Sequence, residues 1–342
     1  MVSTSTYGTI ASIFFGAIVI LPIIMNFFRK NKFDVKGKTV LLTGASEGMG
    51  KCVAVQLSKK GANIIIVSRG IPKLEAALAE IQSAASDTTQ RFKLISADIS
   101  TEDENIRVIA EATAWNSGRA PDIVWCIAGA ARPLLFLDTP TAVAKQQMDM
   151  NFWSCWYMGQ AILSKWLDPS ASTGTPRHLV FTSSVIAFYS IAGYSPYAPS
   201  KAAIKSLSDT LTQEVLLYGE DVKIHTVFPA TILSPGLERE NSTKPDITLE
   251  IEETDPKQTP EVVAANAIAG LERGDNLVTV GWLGTLMRAC AWGGAPRNNW
   301  LFDTLTLWAA SIVVLFVGQD LDGKVRNHGK KHGHPTTYPK KS

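Results

Sequence analysis

Short apolar runs alternate with segments of helical pattern through the middle of the chain. The runs are of strand length, and each predicts a buried strand: Thr39–Leu42, Asn63–Val67, Phe92–Ser96, Asp122–Cys126, His178–Thr182, Lys223–Phe228 and Asn276–Val280. Helices are predicted from about Lys51 to Lys60, from Pro72 to Ala85, from Thr101 onward, from Thr141 to Trp166, from Ala202 to Leu207 and from Pro260 to Arg273. This alternation predicts an α/β fold.

The segment before the first strand is a candidate membrane anchor. Tyr7 to Phe28 carries no charge, and about 20 apolar residues suffice to span a bilayer. No basic residue precedes it, unlike in a signal peptide, so we expect it to stay uncleaved. Arg29, Lys30 and Lys32 follow at once, which places the next domain in the cytosol. A buried or an interfacial helix is the alternative.

Two further apolar segments follow the last predicted strand. They are Trp282–Ala295 and Trp300–Gly318, and a basic tail comes after them. A hairpin or re-entrant arrangement would keep that tail in the cytosol, and an amphipathic attachment to the surface is the competing interpretation. The predicted organisation is an anchor at 1–33, a catalytic domain at 34–280, membrane-associated segments at 281–318 and a tail at 319–342.

Bulk properties exclude some classes of function. The net charge is +2 and no basic stripe dominates, which argues against nucleic acid as the main partner. The four cysteines (Cys52, Cys126, Cys155 and Cys290) are scattered, so that neither a disulfide framework nor a zinc site is indicated. We expect them to be reduced and buried.

The turn after the first strand predicts a dinucleotide site. Gly44, Gly48 and Gly50 lie between a strand and a helix, where the backbone can approach a pyrophosphate at the helix N-terminus. No acid ends the second strand, where an NAD site would place one; Arg69 stands there instead, with Ser46 and Lys73 nearby. Positive charge suits a 2′-phosphate and favours NADPH. Alternatively, Arg69 is a solvated charge.

Two later strand ends offer further cofactor contacts. Asp98 follows the third strand and either accepts a hydrogen bond from adenine or caps the next helix. Ala128 and Gly129 follow the fourth strand, where small residues let the backbone lie against a ribose. Asn151, in the middle of the long helix, needs polar partners if it is buried. It either holds a water on a proton path or shapes the helix.

Tyr197 and Lys201 form a candidate acid–base pair. Residues four apart share one face of a helix, and a nearby ammonium lowers the pKa of a phenol. Ser184 follows the fifth strand, where its hydroxyl can hold a carbonyl oxygen beside that phenol. A Tyr-x-x-x-Lys spacing also arises by chance, so that the rest of the pattern has to support it.

Together these motifs resemble the short-chain dehydrogenase/reductase family. The resemblance rests on Thr43-Gly44-x-x-x-Gly48-x-Gly50, Asn151, Ser184 and Tyr197-x-x-x-Lys201, over roughly residues 36 to 280. It implies a Rossmann-type, doubly wound, seven-stranded parallel sheet, a Ser-Tyr-Lys-Asn catalytic set and a possible homo-oligomer. Two loops depart from the family pattern: Cys126-Ile127-Ala128-Gly129 and Pro229-Ala230. The predicted cofactor contacts are Gly44, Ser46, Glu47, Gly48, Gly50, Arg69, Lys73, Asp98, Ala128, Gly129, Tyr197, Lys201 and Thr231.

A later stretch is similar to a narrower group, the fungal 3-ketosphinganine reductases. It reads Ser234-Pro235-Gly236, followed by Glu240-Asn241-x-Thr243-Lys244-Pro245, within a predicted polar loop at 231–258 that would lie over the nicotinamide. The acids Glu250, Glu252, Glu253 and Asp255 argue against a buried role for this loop. The likeness implies NADPH-dependent reduction of a long-chain lipid ketone at the cytosolic face of the endoplasmic reticulum membrane. There are two alternatives to reduction of 3-ketosphinganine. One is reduction of a different lipid ketone (a sterol, retinal or a 3-ketoacyl lipid), and the other is a non-catalytic NADPH-binding scaffold.

Overall fold

The structure is a computed structural model that describes residues 30–168, 170, 174–218, 222–291 and 297–332. The predicted anchor at Tyr7–Phe28 and residues 333–342 of the basic tail lie outside the described residues. The chain joins the catalytic domain before the predicted boundary at residue 34, because Phe33 is buried against His178 with ring centroids 4.9 Å apart.

All seven predicted strands are present and form one parallel sheet in the order β3-β2-β1-β4-β5-β6-β7. Their bounds are β1 Thr39–Thr43, β2 Asn63–Ser68, β3 Phe92–Ser96, β4 Ile123–Cys126, β5 Arg177–Thr182, β6 Val222–Phe228 and β7 Leu277–Thr279. The strands β1, β4 and β5 are buried along their whole length, which explains why they read as continuous apolar runs. The order reverses between β1 and β4, where ligands bind in doubly wound sheets.

Helices cover both faces of the sheet. Their bounds are α1 Gly48–Lys59, α2 Ile71–Ser83, α3 Glu102–Trp115, α4 Thr141–Met148, α5 Ser154–Trp166, α6 Ala198–Glu214, α7 Pro235–Asn241, α8 Asp246–Ile251, α9 Pro260–Arg273, α10 Trp282–Cys290 and α11 Trp300–His332. One core lies between the sheet and α1, α2 and α9, and the other lies between the sheet and α3, α5 and α6. The predicted doubly wound fold is therefore confirmed.

The long predicted helix from Thr141 to Trp166 is interrupted by a π-helical segment. Asp149–Trp153 joins α4 to α5, and Asn151 is its one buried residue. Single π-turns inside helices are often found at functional sites, because the wider turn re-aims a side chain. Here the turn carries Asn151 toward the loop that follows β4.

The prediction of a polar loop at 231–258 is wrong. It contains the two short helices α7 and α8, and each begins at or just after a proline, which suits the first turn of a helix. Its acids are not all solvated either, because Glu252 contacts Lys244, a side chain that is only 2% exposed. Paired charges and helical backbone make the segment a packed wall instead of an open loop.

The apolar C-terminal segments differ from each other in the structure. The nine residues of α10 span only about 13 Å, less than half of a bilayer's hydrocarbon core of about 30 Å. A hairpin of two spanning segments therefore does not fit α10. Within α11, Trp300–Val317 has a mean hydropathy of 1.9 and is mostly exposed. By length and composition, it is the one candidate span in the described part of the chain.

A buried ion pair joins the two C-terminal helices. Arg288 of α10 donates to Asp303 of α11 at 3.2 Å and to the carbonyl oxygen of Leu277, on β7, at 2.8 Å. The start of α11 is thereby tied to the edge of the sheet. One nearby expectation is wrong: Cys290 is exposed, at the end of α10, whereas the other three cysteines are buried and all four are unpaired.

Candidate active site

A cavity of about 590 Å³ opens at the carboxyl ends of the strands. Its walls come from the loops after β1, β2, β3, β4, β5 and β6 and from α7. Every predicted site residue except Lys73 and Asn151 borders this cavity. The candidate residues, which are far apart in the chain, are therefore brought together at the switch point of the sheet.

The glycines after β1 are required by close backbone contacts. Gly44 has a φ of +67°, and a Cβ there would lie 2.6 Å from the Cα of Ala128. A Cβ on Gly50 would lie 2.3 Å from the carbonyl oxygen of Gly44. The loop thus turns tightly into the N-terminus of α1, whose N–H groups border the cavity and suit a phosphate.

Basic and acidic side chains at this end of the cavity differ in whether they are already paired. Glu47 is paired with Lys73 at 2.8 Å and with Arg239 of α7. Arg69 is exposed on the cavity wall, and its guanidinium makes no hydrogen bond or ion pair with another described residue. Ser46 lies beside it in the fold, with its hydroxyl 3.1 Å from that of Ser68. Arg69 and Ser46 are therefore better placed for a 2′-phosphate than Lys73.

Asp98 borders the cavity without capping a helix. Its carboxylate accepts hydrogen bonds from the backbone N–H and the hydroxyl of Ser100, at 3.2 and 2.8 Å. The N-cap of α3 is Thr101, so that the capping alternative for Asp98 is wrong. Thr231 borders the cavity after β6, and its carbonyl oxygen accepts from the N–H of Gln258 at 3.1 Å.

Ser184 and Tyr197 both border the cavity, and the Ser184 side chain lies close enough to the phenol of Tyr197 to lower its pKa. The Ser184 hydroxyl itself donates to the carbonyl oxygen of Pro229 at 3.3 Å. Ser184 precedes a short 3₁₀ turn, and its Oγ accepts from the N–H of Ile186 at 3.3 Å. Tyr197 is the N-cap residue of α6, so that it lies at the N-terminal end of that helix. A carbonyl oxygen placed between the two hydroxyls would accept from both.

The ionisation of Tyr197 differs from the sequence-based expectation. Burial raises the pKa of its phenol, the negative charge of Glu240 raises it further, and the hydrogen bond with Ser184 opposes both. The expected lowering by Lys201 is not found, since the Lys201 ammonium lies over the ring, 5.6 Å from its centroid, and not beside the hydroxyl. The phenol therefore keeps its proton at neutral pH, as a proton donor must.

Lys201 is almost fully buried and is held from two directions. Its ammonium donates to the carbonyl oxygen of Thr182 at 3.0 Å, and its own carbonyl oxygen accepts from Ser183 at 2.7 Å. Burial lowers the pKa of Lys201 to about 8, although the nearby Cys155 acts in the opposite direction. The cation is therefore positioned at the inner end of the cavity but costs desolvation energy there.

Asn151 lies behind the cavity wall and approaches Lys201 at Gly129. Its amide donates to the carbonyl oxygens of Ala130 and Gln147, at 3.0 and 2.9 Å, and its Oδ1 accepts from the N–H of Ala130. A Cβ on Gly129 would lie 2.6 Å from Asn151 Oδ1 and 3.2 Å from Lys201 Nζ. The glycine therefore lets the amide and the ammonium share one small space.

Sequence reasoning did not find a second polar group on the cavity wall. The Tyr194 hydroxyl lies within hydrogen-bonding distance of both Glu240 and Glu252, the latter at 2.7 Å, and can donate its one proton to either. Lys244 lies 3.0 Å from Glu240 and 2.5 Å from Glu252. The signal was present in the Glu240-Asn241-x-Thr243-Lys244-Pro245 stretch, but the spacing alone did not show that these groups face Tyr197.

Comparison with known proteins agrees with this geometry. The sequence model of the short chain dehydrogenase family matches residues 38–245. The chain belongs to the short-chain dehydrogenase family. This membership makes it an oxidoreductase that uses a nicotinamide cofactor, in keeping with the glycine turn before α1 and with the Ser184–Tyr197–Lys201 constellation.

Curated relatives cover nearly the whole of this short-chain dehydrogenase. A Neurospora crassa protein named 3-ketodihydrosphingosine reductase is 51% identical over 92% of this chain and 89% of its own. An Aspergillus fumigatus protein of the same name is 47% identical over 99% of this chain and 97% of its own. The similarity therefore includes the α7–α8 segment and the C-terminal helices as well as the sheet.

Solved structures agree with the fold. A short-chain dehydrogenase/reductase from Mycobacterium marinum superposes with a TM-score of 0.62 at 23% identity, over 72% of this chain and 95% of that one. A short-chain dehydrogenase from Sphingobium yanoikuyae in complex with NADPH gives 0.60 at 19% identity, over 72% and 88%.

Proposed function

We propose that this short-chain dehydrogenase reduces the ketone of 3-ketosphinganine (3-ketodihydrosphingosine) to the alcohol of sphinganine, with NADPH as reductant, in sphingolipid synthesis. The observation that carries the proposal is the match, over almost the full chain, to two fungal proteins with that activity in their names. Ser184, Tyr197 and Lys201 share one cavity and Asn151 lies directly behind its wall, which supports a catalytic role rather than a scaffold.

The cavity fits a dinucleotide with a 2′-phosphate. Gly44 and Gly50 leave no room for a Cβ, which keeps the backbone close to a pyrophosphate at the N-terminus of α1. Arg69 offers a guanidinium on the cavity wall that no described residue engages, and β2 ends without an acid to bind a ribose diol. The bound cofactor would supply a hydride to the ketone carbon.

The residues of this chain would handle the oxygen and the proton. Ser184 and Tyr197 would donate hydrogen bonds to the carbonyl oxygen, and Tyr197 would transfer its proton as negative charge develops there. Lys201 would stabilise the resulting phenolate through its positive charge. Asn151, at the Gly129 contact, would help to return a proton from solvent toward Lys201.

A membrane-attached layout suits this substrate. The apolar stretch Trp300–Val317 of α11 exposes Trp308, Leu315 and Phe316, and the Arg288–Asp303 pair fixes its start to the sheet. We place the enzyme at the endoplasmic reticulum membrane with the cavity facing the cytosol. A long acyl chain could then stay near the bilayer while the polar head reaches Tyr197. The proposal also includes assembly of the enzyme into a homo-oligomer.

A sequon in α7 tests the orientation. Asn241-Ser242-Thr243 is an acceptor for N-glycosylation, and Asn241 is exposed. If the catalytic domain faces the cytosol, Asn241 stays unmodified in native membranes, and treatment with an endoglycosidase leaves the electrophoretic mobility unchanged. An endoglycosidase-sensitive shift that the Asn241→Gln variant lacks would place the domain in the lumen and contradict the proposed orientation.

The activity itself is tested with full-length protein in detergent. Sphinganine formation from 3-ketosphinganine is measured with NADPH and with NADH, and a sterol ketone, retinal and a 3-ketoacyl lipid are assayed in parallel. The proposal predicts turnover of 3-ketosphinganine that prefers NADPH. Turnover of one of the other ketones, with none of 3-ketosphinganine, would contradict it.

A further inference from the structure

Glu240 is an acid in the wall of the catalytic cavity. It belongs to α7, borders the same cavity as Ser184 and Tyr197, and is partly buried with 19% of its side chain exposed. Its Oε1 accepts the hydroxyl of Tyr194, whose ring centroid lies 5.8 Å from that of Tyr197. The Glu240 carboxylate is thereby held near the proton donor Tyr197 through its contact with the Tyr194 hydroxyl.

Neighbouring groups fix this carboxylate in place. Lys244, one turn later, lies 3.0 Å from Glu240 and 2.5 Å from Glu252, and its ammonium is 5.7 Å from the centroid of the Tyr194 ring. Glu252 reaches Tyr194 from the other side at 2.7 Å, but it does not border the cavity. Glu240 is therefore the member of the cluster that faces the reacting groups.

The cluster keeps a net negative charge. Two carboxylates, Glu240 and Glu252, share one ammonium, Lys244, and the other basic residue on this wall, Arg239, is paired with Glu47. The Tyr194 hydroxyl and the Lys244 ammonium both contact Oε1 of Glu240, and Oε2 accepts no hydrogen bond within the described part of the chain. An ammonium group from a ligand would satisfy that oxygen and balance the charge.

A negative charge at this position works against ketone reduction by itself. Reduction builds negative charge on the carbonyl oxygen, and a nearby carboxylate opposes it. The same charge raises the pKa of Tyr197, which disfavours release of its proton. Both effects vanish when a positive charge lies between Glu240 and the ketone. A substrate that brings its own cation next to the carbonyl would therefore be favoured over one that does not.

We propose that Glu240 binds the ammonium group of a 2-amino ketone and so makes the enzyme selective for substrates with an amine next to the reacting carbonyl. This inference rests on the proposed function, because 3-ketosphinganine carries its amino group on the carbon beside the ketone. Tyr194, Lys244 and Glu252 act as positioning residues that hold the Glu240 carboxylate toward the cavity.

The test compares two substrates that differ only in charge. One is 3-ketosphinganine, and the other is the same long-chain hydroxy ketone with hydrogen in place of the 2-amino group. Their kcat/KM values are measured in detergent with wild-type protein, Glu240→Gln and Glu238→Gln. The Glu238 variant is the matched control, because it makes the same charge change at an exposed residue of α7 that does not border the cavity.

The proposal predicts a change in selectivity. Glu240→Gln lowers kcat/KM for the amino ketone by about 10- to 100-fold, the range for a lost charge-assisted hydrogen bond, and leaves that for the deaminated ketone unchanged or higher. Glu238→Gln leaves kcat/KM for both substrates unchanged. Equal losses on both substrates in Glu240→Gln would show a purely structural role and overturn the inference. So would an unchanged preference for the amine.

Failure of the inference is separable from failure of the proposed function. If wild-type protein reduces both ketones and Glu240→Gln keeps the wild-type ratio, the function stands and the role of Glu240 falls. If wild-type protein reduces neither ketone, the function is contradicted and the inference falls with it. Thermal melting of each variant shows that a lost activity is not a lost fold.

Discussion

Lys201 lies over the ring of Tyr197, 5.6 Å from its centroid, and donates its hydrogen bond to the carbonyl oxygen of Thr182 instead of to the phenol. The two groups therefore titrate separately. Burial raises the pKa of Tyr197, whereas burial lowers the pKa of Lys201 to about 8. The tyrosine holds a proton to give, and the lysine holds a charge that is lost first as the pH rises.

The pH dependence of reduction should follow Lys201. Below about pH 8 the ammonium is present, and above it the charge that stabilises the phenolate disappears. We predict that kcat is constant from pH 6 to about 7.5 and falls tenfold per pH unit above about 8.5. Cofactor affinity measured at each pH is the control. A kcat that stays constant to pH 10 would show that the charge of Lys201 is not required.

The space at Gly129 is predicted to be essential. In Gly129→Ala the new Cβ would lie 2.6 Å from Asn151 Oδ1 and 3.2 Å from Lys201 Nζ, so that both must move. A displacement of about 1 Å in a catalytic group can cost 100-fold, and we expect kcat to fall roughly 10- to 100-fold. Gly329→Ala, with no atom within 4 Å of the new Cβ, is the control. Wild-type kcat in Gly129→Ala would refute this geometry.

Cofactor choice should depend on Arg69 more than on Lys73. Arg69 is uncommitted on the cavity wall, whereas Lys73 is paired with Glu47 at 2.8 Å. We predict that Arg69→Ala raises KM for NADPH about 10- to 100-fold and leaves KM for NADH nearly unchanged, because only the 2′-phosphate is affected. Lys73→Ala is the matched control with a smaller effect. Equal losses for the two cofactors would argue against a phosphate contact at Arg69.

Stability should depend on the pair that joins α10 to α11. Arg288 and Asp303 are 7% and 1% exposed, so that Asp303→Ala leaves a buried guanidinium without its carboxylate. Removing one partner of a buried pair costs about 3–5 kcal/mol, which thermal melting in detergent would register as a lower Tm. Glu80→Ala breaks the exposed Lys51–Glu80 pair and should cost at most about 1 kcal/mol. Similar Tm values in the two variants would contradict this account.

Much of the fold follows from local sequence, for a physical reason. Strands such as Ile123–Cys126 are buried on both faces and therefore read as unbroken apolar runs. The glycine turn could also be predicted from the sequence, because Gly44 and Gly50 lie at close backbone contacts where any side chain would clash. Tyr197 and Lys201 were predicted as a pair from their helical spacing, and both border the cavity in the structure.

What the sequence did not predict depends on contacts between distant segments. The helices α7 and α8 lie in a stretch of polar residues whose acids Glu240 and Glu252 contact Lys244 and Tyr194, and no local pattern shows that pairing. The pKa of Tyr197 depends on burial and on Glu240, not on its spacing from Lys201. The sequence predicted that Lys73 binds a phosphate, but it did not show that Lys73 forms an ion pair with Glu47.

The central claim is tested most directly by sphinganine formation in wild-type protein and in Tyr197→Phe. Full-length protein in detergent is given 3-ketosphinganine and NADPH, and product and cofactor oxidation are followed together. We predict turnover by the wild type, and none by the variant, which keeps its fold and its affinity for NADPH because only the proton donor is lost. Comparable sphinganine formation by Tyr197→Phe, or none by the wild type, would contradict the account.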